Sequence, residues 1–505
     1  MYDVIIIGAG VGGLTCASKL ALNAKRVLIL EKIHHIGGTS NIFKRGNYIF
    51  PMGPLSVSFP NFIKEKLEEA GIHEDFAFRR SHFQLISPEI DIIYSKEWDK
   101  FENQLKEQYK EDQEGIEKFF MEFNQLLEAI CQIHKWHPEY LVGKKRELTE
   151  SKLLEDHKEA YEIIETYSKI SSKTILDDYL KYQSLKRLLG SQGSYEPTMN
   201  MVHLAFMWNV MSIEGIWFPN CGIHGINELL GDSIRKNGGE IRLNTPVNEI
   251  IIENNKAIGV KIKGGKLYRA HWIVANADYK KVFLELINPN KVSKLYLDVV
   301  KNTAYTGSEF CVYLGINPEK VDLSRIRADH LFYRAKILKS QDIDNEDFEN
   351  KEIEICLWSN KSSDFAPEGM KSLVLRVNMP YKHFERWRIG EKKRKKGYKE
   401  YKYELAEKLI DTVEQVLPGL SSSIQVKEIA TPLTYNDWGQ RYRGSIAGWS
   451  RDIKKIRIKS KLLLQGPIER LLTVGIYSVL EPFLGGYPVS MYTGSLAADL
   501  ILEKS

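Results

Sequence analysis

The feature that most constrains the fold of this chain is a glycine-rich turn close to its N-terminus. Residues 4–7 read VIII, a fully apolar run typical of buried parallel strands. The turn GAGVGG follows at 8–13, then a helix-compatible stretch at 14–22, and then a second apolar run, VLILE, at 27–31. This order is a complete β-α-β unit with G-x-G-x-x-G at its first turn, which predicts a dinucleotide-binding fold.

The glycines of this turn have separate physical roles. Gly8 permits the tight turn, Gly10 lets the backbone approach a pyrophosphate, and Gly13 lets the helix pack against the strand. The helix directs its free N–H groups and its positive dipole end at the phosphates. Glu31 ends the second strand, where its carboxylate accepts hydrogen bonds from ribose hydroxyls. The residues expected to contact the nucleotide here are Gly8, Gly10, Val11, Gly12, Gly13, Glu31 and Lys32.

Two further close-approach turns favour a longer cofactor than a nicotinamide dinucleotide. The stretch IHHIGGTS at 33–40 places a glycine pair six residues past Glu31, and NYIFPMGPLS at 47–56 adds a second turn. A nicotinamide domain needs neither turn, whereas a long cofactor bound in an extended conformation needs both. The residues expected to contact it in these turns are Gly37, Gly38, Thr39, Ser40, Gly53 and Pro54.

Composition narrows the class of protein. With 505 residues, 43% hydrophobic and 27% charged, the chain predicts two or three globular domains. A net charge of +5, with no zinc spacing or RNA-binding signature, argues against a nucleic-acid partner. The five cysteines are scattered without C-x-x-C, so we expect neither a disulfide scaffold nor a metal site. The chain opens almost directly on a strand and has no apolar run of membrane-spanning length, which predicts a cytoplasmic protein.

The motif E-K-x-x-x-x-G-G followed by F-x-x-G-P resembles the N-terminal signature of FAD-dependent amine oxidases and carotenoid desaturases. The closer likeness is to the bacterial phytoene desaturase branch, which includes carotenoid cis-trans isomerases and retinol saturases. Further stretches resemble this branch along nearly the whole chain, namely 221–227, 240–262, 271–283, 430–449 and 471–502. The resemblance implies FAD as the cofactor.

The resemblance also implies where the later cofactor residues lie. In the family, a valine contacts the adenine through its backbone, a strand ends at a glycine near the ribityl chain, and a glycine–proline segment passes beneath the isoalloxazine. A closing helix directs its N-terminus at the flavin. The matching residues in this sequence are Val247, Ala277, Gly475, Gly486, Tyr487, Pro488 and Val489, with Glu481 as a substitute for a missing aspartate beside the ribityl chain.

Three departures from the family pattern are present. Many relatives have an aspartate before the x-G-P turn, where this chain has Pro51. Amine oxidases usually have an arginine directly after the second glycine pair, where this chain has Thr39. Many relatives have Gly-Asp at the last strand, where this chain has Gly475-Ile476. FAD binding remains the prediction, with some of its polar contacts still unassigned.

The implied fold is α/β, with a Rossmann-like FAD-binding domain of the glutathione reductase and amine oxidase type and an interleaved substrate domain of mixed sheet and helical cap. We expect the FAD-binding domain to be discontinuous, at 1–60, 220–285 and 465–505. The substrate domain should comprise 61–219 and 286–464, with the helical cap around 97–215.

The stretch at 204–218 concentrates methionine and aromatic residues close to the flavin-side turn. Such residues are more often core than ligand-lining. An apolar polyene nevertheless needs a tunnel wall, for which we nominate Met207, Trp208, Met211 and Trp217.

The predicted activity is FAD-dependent oxidoreduction of an apolar isoprenoid or polyene, by desaturation, saturation or cis-trans isomerisation. The electron acceptor is oxygen, a quinone or a redox protein, and no catalytic acid or base is assigned. Basic runs at 391–404 and 451–461 are exposed faces, or they contact an anionic membrane peripherally. The alternatives are an FAD-dependent amine oxidase and a prenyl-binding protein of the GDP-dissociation-inhibitor type, which uses no flavin.

Replacing Gly10 by valine places a branched side chain where the pyrophosphate is expected. The Gly10→Val protein should therefore carry no flavin, as measured by the absorbance of cofactor released from the denatured protein. Flavin content equal to that of the unaltered protein would contradict the assignment of this turn.

Overall fold

The computed structural model describes residues 1–94, 98–133, 141–191, 199–337, 346–460, 462–480 and 485–504. Its described strands, in chain order, are β1 (Tyr2–Ile7), β2 (Val27–Leu30), β3 (Ile42–Arg45), β4 (Tyr48–Pro51), β5 (Val57–Ser58), β6 (Phe78–Ser81), β7 (Phe83–Ile86), β8 (Asp91–Ile93), β9 (Ile216–Pro219), β10 (Glu240–Arg242), β11 (Val247–Glu253), β12 (Lys256–Ile262), β13 (Leu267–Ala275), β14 (Glu309–Ile316), β15 (His330–Tyr333), β16 (Ile353–Leu357), β17 (Lys371–Asn378), β18 (Arg388–Gly390), β19 (Lys393–Arg394), β20 (Ile424–Ala430) and β21 (Leu471–Thr473).

The described α-helices are α1 (Val11–Leu22), α2 (Pro60–Glu69), α3 (Trp98–Gln108), α4 (Gln113–Ile133), α5 (Gly143–Asp156), α6 (Lys158–Ser168), α7 (Ser172–Tyr179), α8 (Gln183–Ser191), α9 (Met201–Trp208), α10 (Gly222–Lys236), α11 (Tyr279–Lys281), α12 (Lys294–Asn302), α13 (Lys382–Glu385), α14 (Tyr398–Glu414), α15 (Leu420–Ser423), α16 (Pro432–Asp437) and α17 (Gly486–Glu503). Helix α9 continues directly into a π-helical turn, Asn209–Ile213. None of the described helices combines the length and the apolar character that a membrane span requires.

The first sheet grows from the N-terminal β-α-β unit. Strand β1 lies between β2 and β13 and is parallel to both, with β10 beyond β2 and β21 parallel to β13. Strand β13 then continues through antiparallel β12 and β11, which completes a seven-stranded sheet. Strand β2 and the second half of β1 (residues 4–7) are apolar and buried because both faces of the sheet are covered there.

The two ends of the chain meet on one face of this sheet. Helix α1 packs against α17 and α10, so the first and last helices of the chain are neighbours. A Cβ atom on Gly494 of α17 would lie 2.2 Å from the carbonyl oxygen of Gly12, which shows how closely the two helix backbones approach. The opposite face of the sheet is covered by an apolar cluster that includes Phe283, Val300 and Trp449.

The second sheet is also seven-stranded, in the order β20-β14-β17-β16-β15-β7-β8. Its pairs are antiparallel except that β7 runs parallel to β15. Along β14, Phe310 and Val312 point into a core shared with α14, whereas Cys311 and Tyr313 point to the other face. This alternation follows from the two-residue period of a strand and gives the sheet a second face on which a ligand can lie.

Helices α3, α4 and α6–α9 form the helical cap and bury an apolar cluster of their own. Phe119, Phe123 and Trp208 are among its fully buried side chains. The cap packs on β7, β8 and β9, so it covers one side of the second sheet. The described residues therefore show the predicted α/β class, with a mixed substrate-side sheet and a helical cap.

All strands of the first sheet fall within 1–60, 220–285 and 465–505, and all strands of the second fall within 61–219 and 286–464. A third sheet, β5-β9-β6, joins a strand of the first set of segments to two strands of the second. The domain boundaries themselves remain a prediction, because the cap and the sheets share apolar contacts through Leu462 and Tyr492.

Replacing Gly494 by alanine tests how closely α1 and α17 must approach. In an ordinary helix this change stabilises a protein by up to about 1 kcal/mol. Here the added methyl group meets a backbone carbonyl, so we expect destabilisation by about 1–3 kcal/mol, measured as the free energy of unfolding in urea. Gly390→Ala is the control, because the nearest atom to its Cβ lies 3.6 Å away. Unchanged or increased stability of Gly494→Ala would show that the helices have room to separate.

Candidate cofactor and substrate site

A cavity of about 1750 Å³ runs between the glycine turn of the first sheet and the helical cap. One end is lined by the turns at 8–12, 37–40 and 53–54. The other end is lined by Phe206 and its neighbours on α9, and by Tyr313 and Arg376 of the second sheet. The volume exceeds the ~300–1,000 Å³ of a pocket for one drug-sized ligand, so the space fits a long cofactor together with a substrate.

The glycine turn wraps around the side chain of Asn276, which follows β13. A Cβ atom on Gly10 would lie 2.6 Å from Asn276 Nδ2, and one on Gly475 would lie 2.9 Å from Asn276 Oδ1. Gly8 has φ +94°, a conformation that favours glycine, and its carbonyl accepts a hydrogen bond from Asn276 Nδ2 at 3.4 Å. Loss of flavin from Gly10→Val would therefore report the packing of the turn as well as its approach to the cofactor.

The N-terminus of α1 is open to an anion. Its N-cap residue is Gly10, which has no side chain to satisfy the first backbone N–H groups. Both Gly10 and Gly12 line the cavity. Free N–H groups and the positive end of the helix dipole are suited to a phosphate at this position.

Glu31 lies beside this turn and is 8% exposed. Its Oε2 accepts a hydrogen bond from the Ala9 N–H at 2.6 Å, and its Oε1 accepts one from the Ile33 N–H at 3.0 Å. Each carboxylate oxygen keeps a second lone pair for a further donor such as a ribose hydroxyl. The neighbouring Lys32 instead binds Glu391 and Gln440, each at 2.8 Å.

Asn227 of α10 joins the second turn to the last helix. Its Nδ2 donates to the Ser40 carbonyl at 2.7 Å, and its Oδ1 accepts from the Tyr487 hydroxyl at 3.0 Å. Gly37 leaves the space for this amide, since its Cβ would lie 2.5 Å from Asn227 Nδ2. Sequence reasoning missed this residue, although it lies in the matched stretch 221–227.

Arg441 reaches the turn from the C-terminal half of the chain. Its Nη2 donates to Thr39 Oγ1 at 2.7 Å, and its Nη1 donates to the carbonyls of Ser445 and Ile446. All of these acceptors are uncharged, and Arg441 lines the cavity. The structure thus places the guanidinium of Arg441 against Thr39. Thr39 occupies the position where amine oxidases have an arginine in the sequence. No local pattern signals this, because 402 residues separate the two.

Most predicted cofactor residues line the cavity, namely Gly8, Gly10, Val11, Gly12, Glu31, Lys32, Gly37, Gly38, Thr39, Ser40, Gly53, Pro54, Val247, Ala277, Gly475, Gly486, Tyr487 and Pro488. Gly13 and Val489 lie behind this wall. A Cβ on Gly13 would lie 2.4 Å from the Gly8 carbonyl oxygen, and Val489 is fully buried among apolar side chains. Glu481 lies outside the described residues. The contact of each residue with the cofactor stays a prediction.

The residues nominated for the tunnel wall divide into two pairs. Met207 and Met211 line the cavity beside Phe206. Trp208 is fully buried in the cap, where its indole N–H donates to the Leu189 carbonyl at 2.7 Å. Trp217 pairs with β5 and β6 and donates to the Glu214 carbonyl at 3.1 Å, and it does not line the cavity either. The density of methionine and aromatic residues in this stretch does not by itself distinguish side chains that line the cavity from side chains of the core.

Charged side chains on the cavity-side face of the second sheet form ion pairs between neighbouring strands. Arg376 donates to Glu354 Oε2 through Nε at 2.8 Å and lies 3.7 Å from Glu309 Oε1. On the far side, Glu354 Oε1 lies 2.8 Å from His330 Nδ1. Burial would raise the pKa of Glu354, but Arg376 and His330 outweigh it and lower the pKa to about 2. Arg376 is therefore already neutralised before any ligand binds.

No group of three or more Cys, His, Asp or Glu among the described residues is placed to hold a metal ion. The glycine cradle, the open helix N-terminus and Glu31 instead fit an extended flavin nucleotide. When bound, FAD supplies hydride exchange at its N5 atom.

Comparison with known proteins agrees with this geometry. The family model for flavin containing amine oxidoreductases matches residues 11–444. The chain is 27% identical to the chloroplastic prolycopene isomerase of Arabidopsis thaliana, over 100% of this chain and 84% of that protein. It is 24% identical to the zeta-carotene-forming phytoene desaturase of Myxococcus xanthus, over 90% of this chain and 85% of the desaturase.

Among solved structures, a triple mutant of putrescine oxidase superposes with a TM-score of 0.65 at 12% identity, covering 100% of this chain and 99% of the oxidase. At this identity the superposition shows a shared fold. It confirms the predicted Rossmann-like FAD-binding domain with an interleaved substrate domain. The chain is an FAD-dependent oxidoreductase that belongs to the flavin-containing amine oxidoreductase family, with carotenoid isomerases and desaturases among its relatives.

Proposed function

We propose that this enzyme acts on the C–C or C=C bonds of an apolar isoprenoid or polyene, by desaturation, saturation or cis-trans isomerisation. The observation that carries the proposal is the continuity of the cavity, which leads from the cofactor turns directly to Phe206, Met207, Val210 and Met211. These side chains are apolar and adaptable, which suits an extended hydrocarbon. Relatives named for isomerisation and desaturation of carotenoids support the same substrate class.

The π-helical turn after α9 helps to form this wall. It carries Val210 and Met211, which both line the cavity. A π-helical turn widens a helix by one residue and often occurs at functional sites. Val210 lies close to Gly485 at the start of α17, since a Cβ on Gly485 would be 4.0 Å from its Cγ1. The wall therefore adjoins the segment expected beneath the flavin.

The proposed setting is the cytoplasm, with peripheral contact to an anionic membrane. The run at 451–461 supports this contact, because its basic residues Lys454, Lys455 and Arg457 are exposed while Ile456 and Ile458 pack inward. For desaturation, oxygen, a quinone or a redox protein is the proposed electron acceptor. Isomerisation needs no net acceptor. An amine substrate has support from the name of the matching family model and from a shared fold at 12% identity.

Anaerobic incubation with a polyene panel tests the substrate class and the direction together. The purified yellow protein, oxidised or reduced, is mixed with phytoene, prolycopene, retinol or putrescine, and flavin absorbance and product mass are followed. Bleaching of the oxidised flavin with a product two hydrogens lighter than the substrate indicates desaturation. Reoxidation of the reduced flavin with a product two hydrogens heavier indicates saturation. A product of unchanged mass with altered double-bond geometry indicates isomerisation. Bleaching by putrescine alone would contradict the proposal in favour of an amine oxidase.

Arg441 is proposed to neutralise the phosphates of FAD in place of the arginine absent at Thr39. The Arg441→Gln apoprotein should bind FAD about tenfold or more weakly, because a charge-assisted hydrogen bond is lost. Its affinity should also depend less on salt. The measurement is a fluorescence titration of FAD into apoprotein at two ionic strengths.

Two controls separate charge from packing. Arg443→Gln removes an exposed arginine of the same loop, whose partner Glu385 lies 3.7 Å away, and should leave FAD affinity unchanged. Thr39→Val breaks the contact to Arg441 but keeps the positive charge. If Thr39→Val weakens FAD binding as much as Arg441→Gln, Arg441 acts only by positioning the turn.

A further inference from the structure

Arg451 begins the basic run at 451–461, and it lines the cavity without taking part in the cofactor geometry. It follows Trp449 in the C-terminal half and lines the cavity beside α9. Its Nη1 lies 3.8 Å from Met207 Sδ. Among the described residues, no carboxylate lies within ion-pair distance of this guanidinium.

The Arg451 side chain is exposed, and part of its surface faces the cavity. His203, on the same stretch of wall, is 9% exposed. Burial, with a smaller contribution from Arg451, lowers the pKa of His203 to about 3, so this imidazole is neutral at pH 7. Its ring makes no hydrogen bond within the described part of the chain, while its backbone N–H is capped by Asn200.

Several other cavity cations differ from Arg451 in having acidic partners, whereas Arg441, at the cofactor end, donates to uncharged acceptors. Arg376 binds Glu354, Arg45 lies 2.6 Å from Glu428, and Lys32 lies 2.8 Å from Glu391. Arg451 instead has a thioether as its nearest partner. It is thus a positive charge without a countercharge in the apolar half of the cavity.

Filling this half with a ligand changes the solvation of Arg451. In the open cavity, water solvates the guanidinium. A wholly hydrocarbon ligand lying against the cavity-facing part of the guanidinium would displace that water without offering a hydrogen-bond acceptor, which is unfavourable. A ligand that brings an anionic group at this point would replace the water with a charge-assisted hydrogen bond. The residues that line this half of the cavity therefore favour a ligand that is apolar along most of its length and acidic at one end.

We propose that the substrate of this enzyme is an isoprenoid or polyene carboxylic acid, whose carboxylate binds Arg451 and accepts a second hydrogen bond from the neutral ring of His203. This inference rests on the proposed function, since it names the substrate class of the same cavity. The apolar chain lies against Phe206, Met207 and Met211. The acid sets the register of the chain relative to the flavin, and hence the bond that reacts.

Matched ligands that differ only at their end group test this inference. All-trans-retinoic acid and all-trans-retinol share one chain, and β-apo-8′-carotenoic acid and its aldehyde form a second, longer pair. Each is titrated into flavin-loaded protein, with quenching of tryptophan fluorescence as the readout. The unaltered protein should bind the acid of at least one pair about tenfold or more tightly than its neutral partner.

Arg451→Gln should abolish this preference while retaining flavin and affinity for the neutral ligands. Arg451→Lys keeps the positive charge and should retain part of the preference for the acid. This second variant shows whether a loss of preference in Arg451→Gln comes from the lost charge or from a defect in folding. Arg457→Gln is the matched control, because Arg457 is an exposed residue of the same basic run. It should leave the preference unchanged.

The remaining outcomes count against the inference in different ways. Equal binding of acid and neutral ligands overturns it and leaves the proposed polyene activity standing. A preference for the acid that survives in the Arg451→Gln protein also overturns the inference. If that protein keeps the preference but loses flavin, Arg451 serves the cofactor and the inference is likewise overturned. Flavin-loaded protein that binds none of the four ligands overturns the polyene proposal itself, and the inference with it.

Discussion

The close approach of backbones around Asn276 is the constraint on which the rest of the structure depends. The first turn, the end of β13 and the end of β21 meet at this side chain, and Cβ atoms on Gly10, Gly13 or Gly475 would collide with it or with the neighbouring backbone. Because the turn is held this way, the N-terminus of α1 is fixed beside α17. One end of the cavity is therefore formed by closely packed backbone.

The cavity combines this closely packed polar end with an adaptable apolar end. At the polar end, backbone N–H groups, Glu31 and Arg441 surround the expected nucleotide. At the apolar end, methionine and phenylalanine of α9 face a sheet whose charges are mostly paired. Arg451 stands out there because its charge is unmatched. Such a division suits an enzyme in which the cofactor carries the chemistry and the protein sets the position of the substrate.

Sequence reasoning identified the β-α-β unit, the second glycine pair and the closing helix, because each has a local signature of spacing and residue type. It did not identify Asn227, Asn276 or Arg441 as parts of the site. Their roles depend on pairs of atoms that are far apart along the chain, such as Arg441 and Thr39. It also grouped Trp208 with Met207, although adjacent residues on a helix point about 100° apart and only Met207 reaches the cavity.

The sequence by itself determined the class of fold, since glycine spacing, apolar strands and a terminal acid act over short stretches whose geometry is nearly fixed. Its resemblance to a known family indicated the cofactor. The tertiary structure alone decided which charges meet. Arg376 contacts two carboxylates, Arg441 donates to a threonine hydroxyl, and Arg451 lies beside a thioether. The partner of a long side chain is set by the packing of distant elements, and no local pattern of residues encodes that packing.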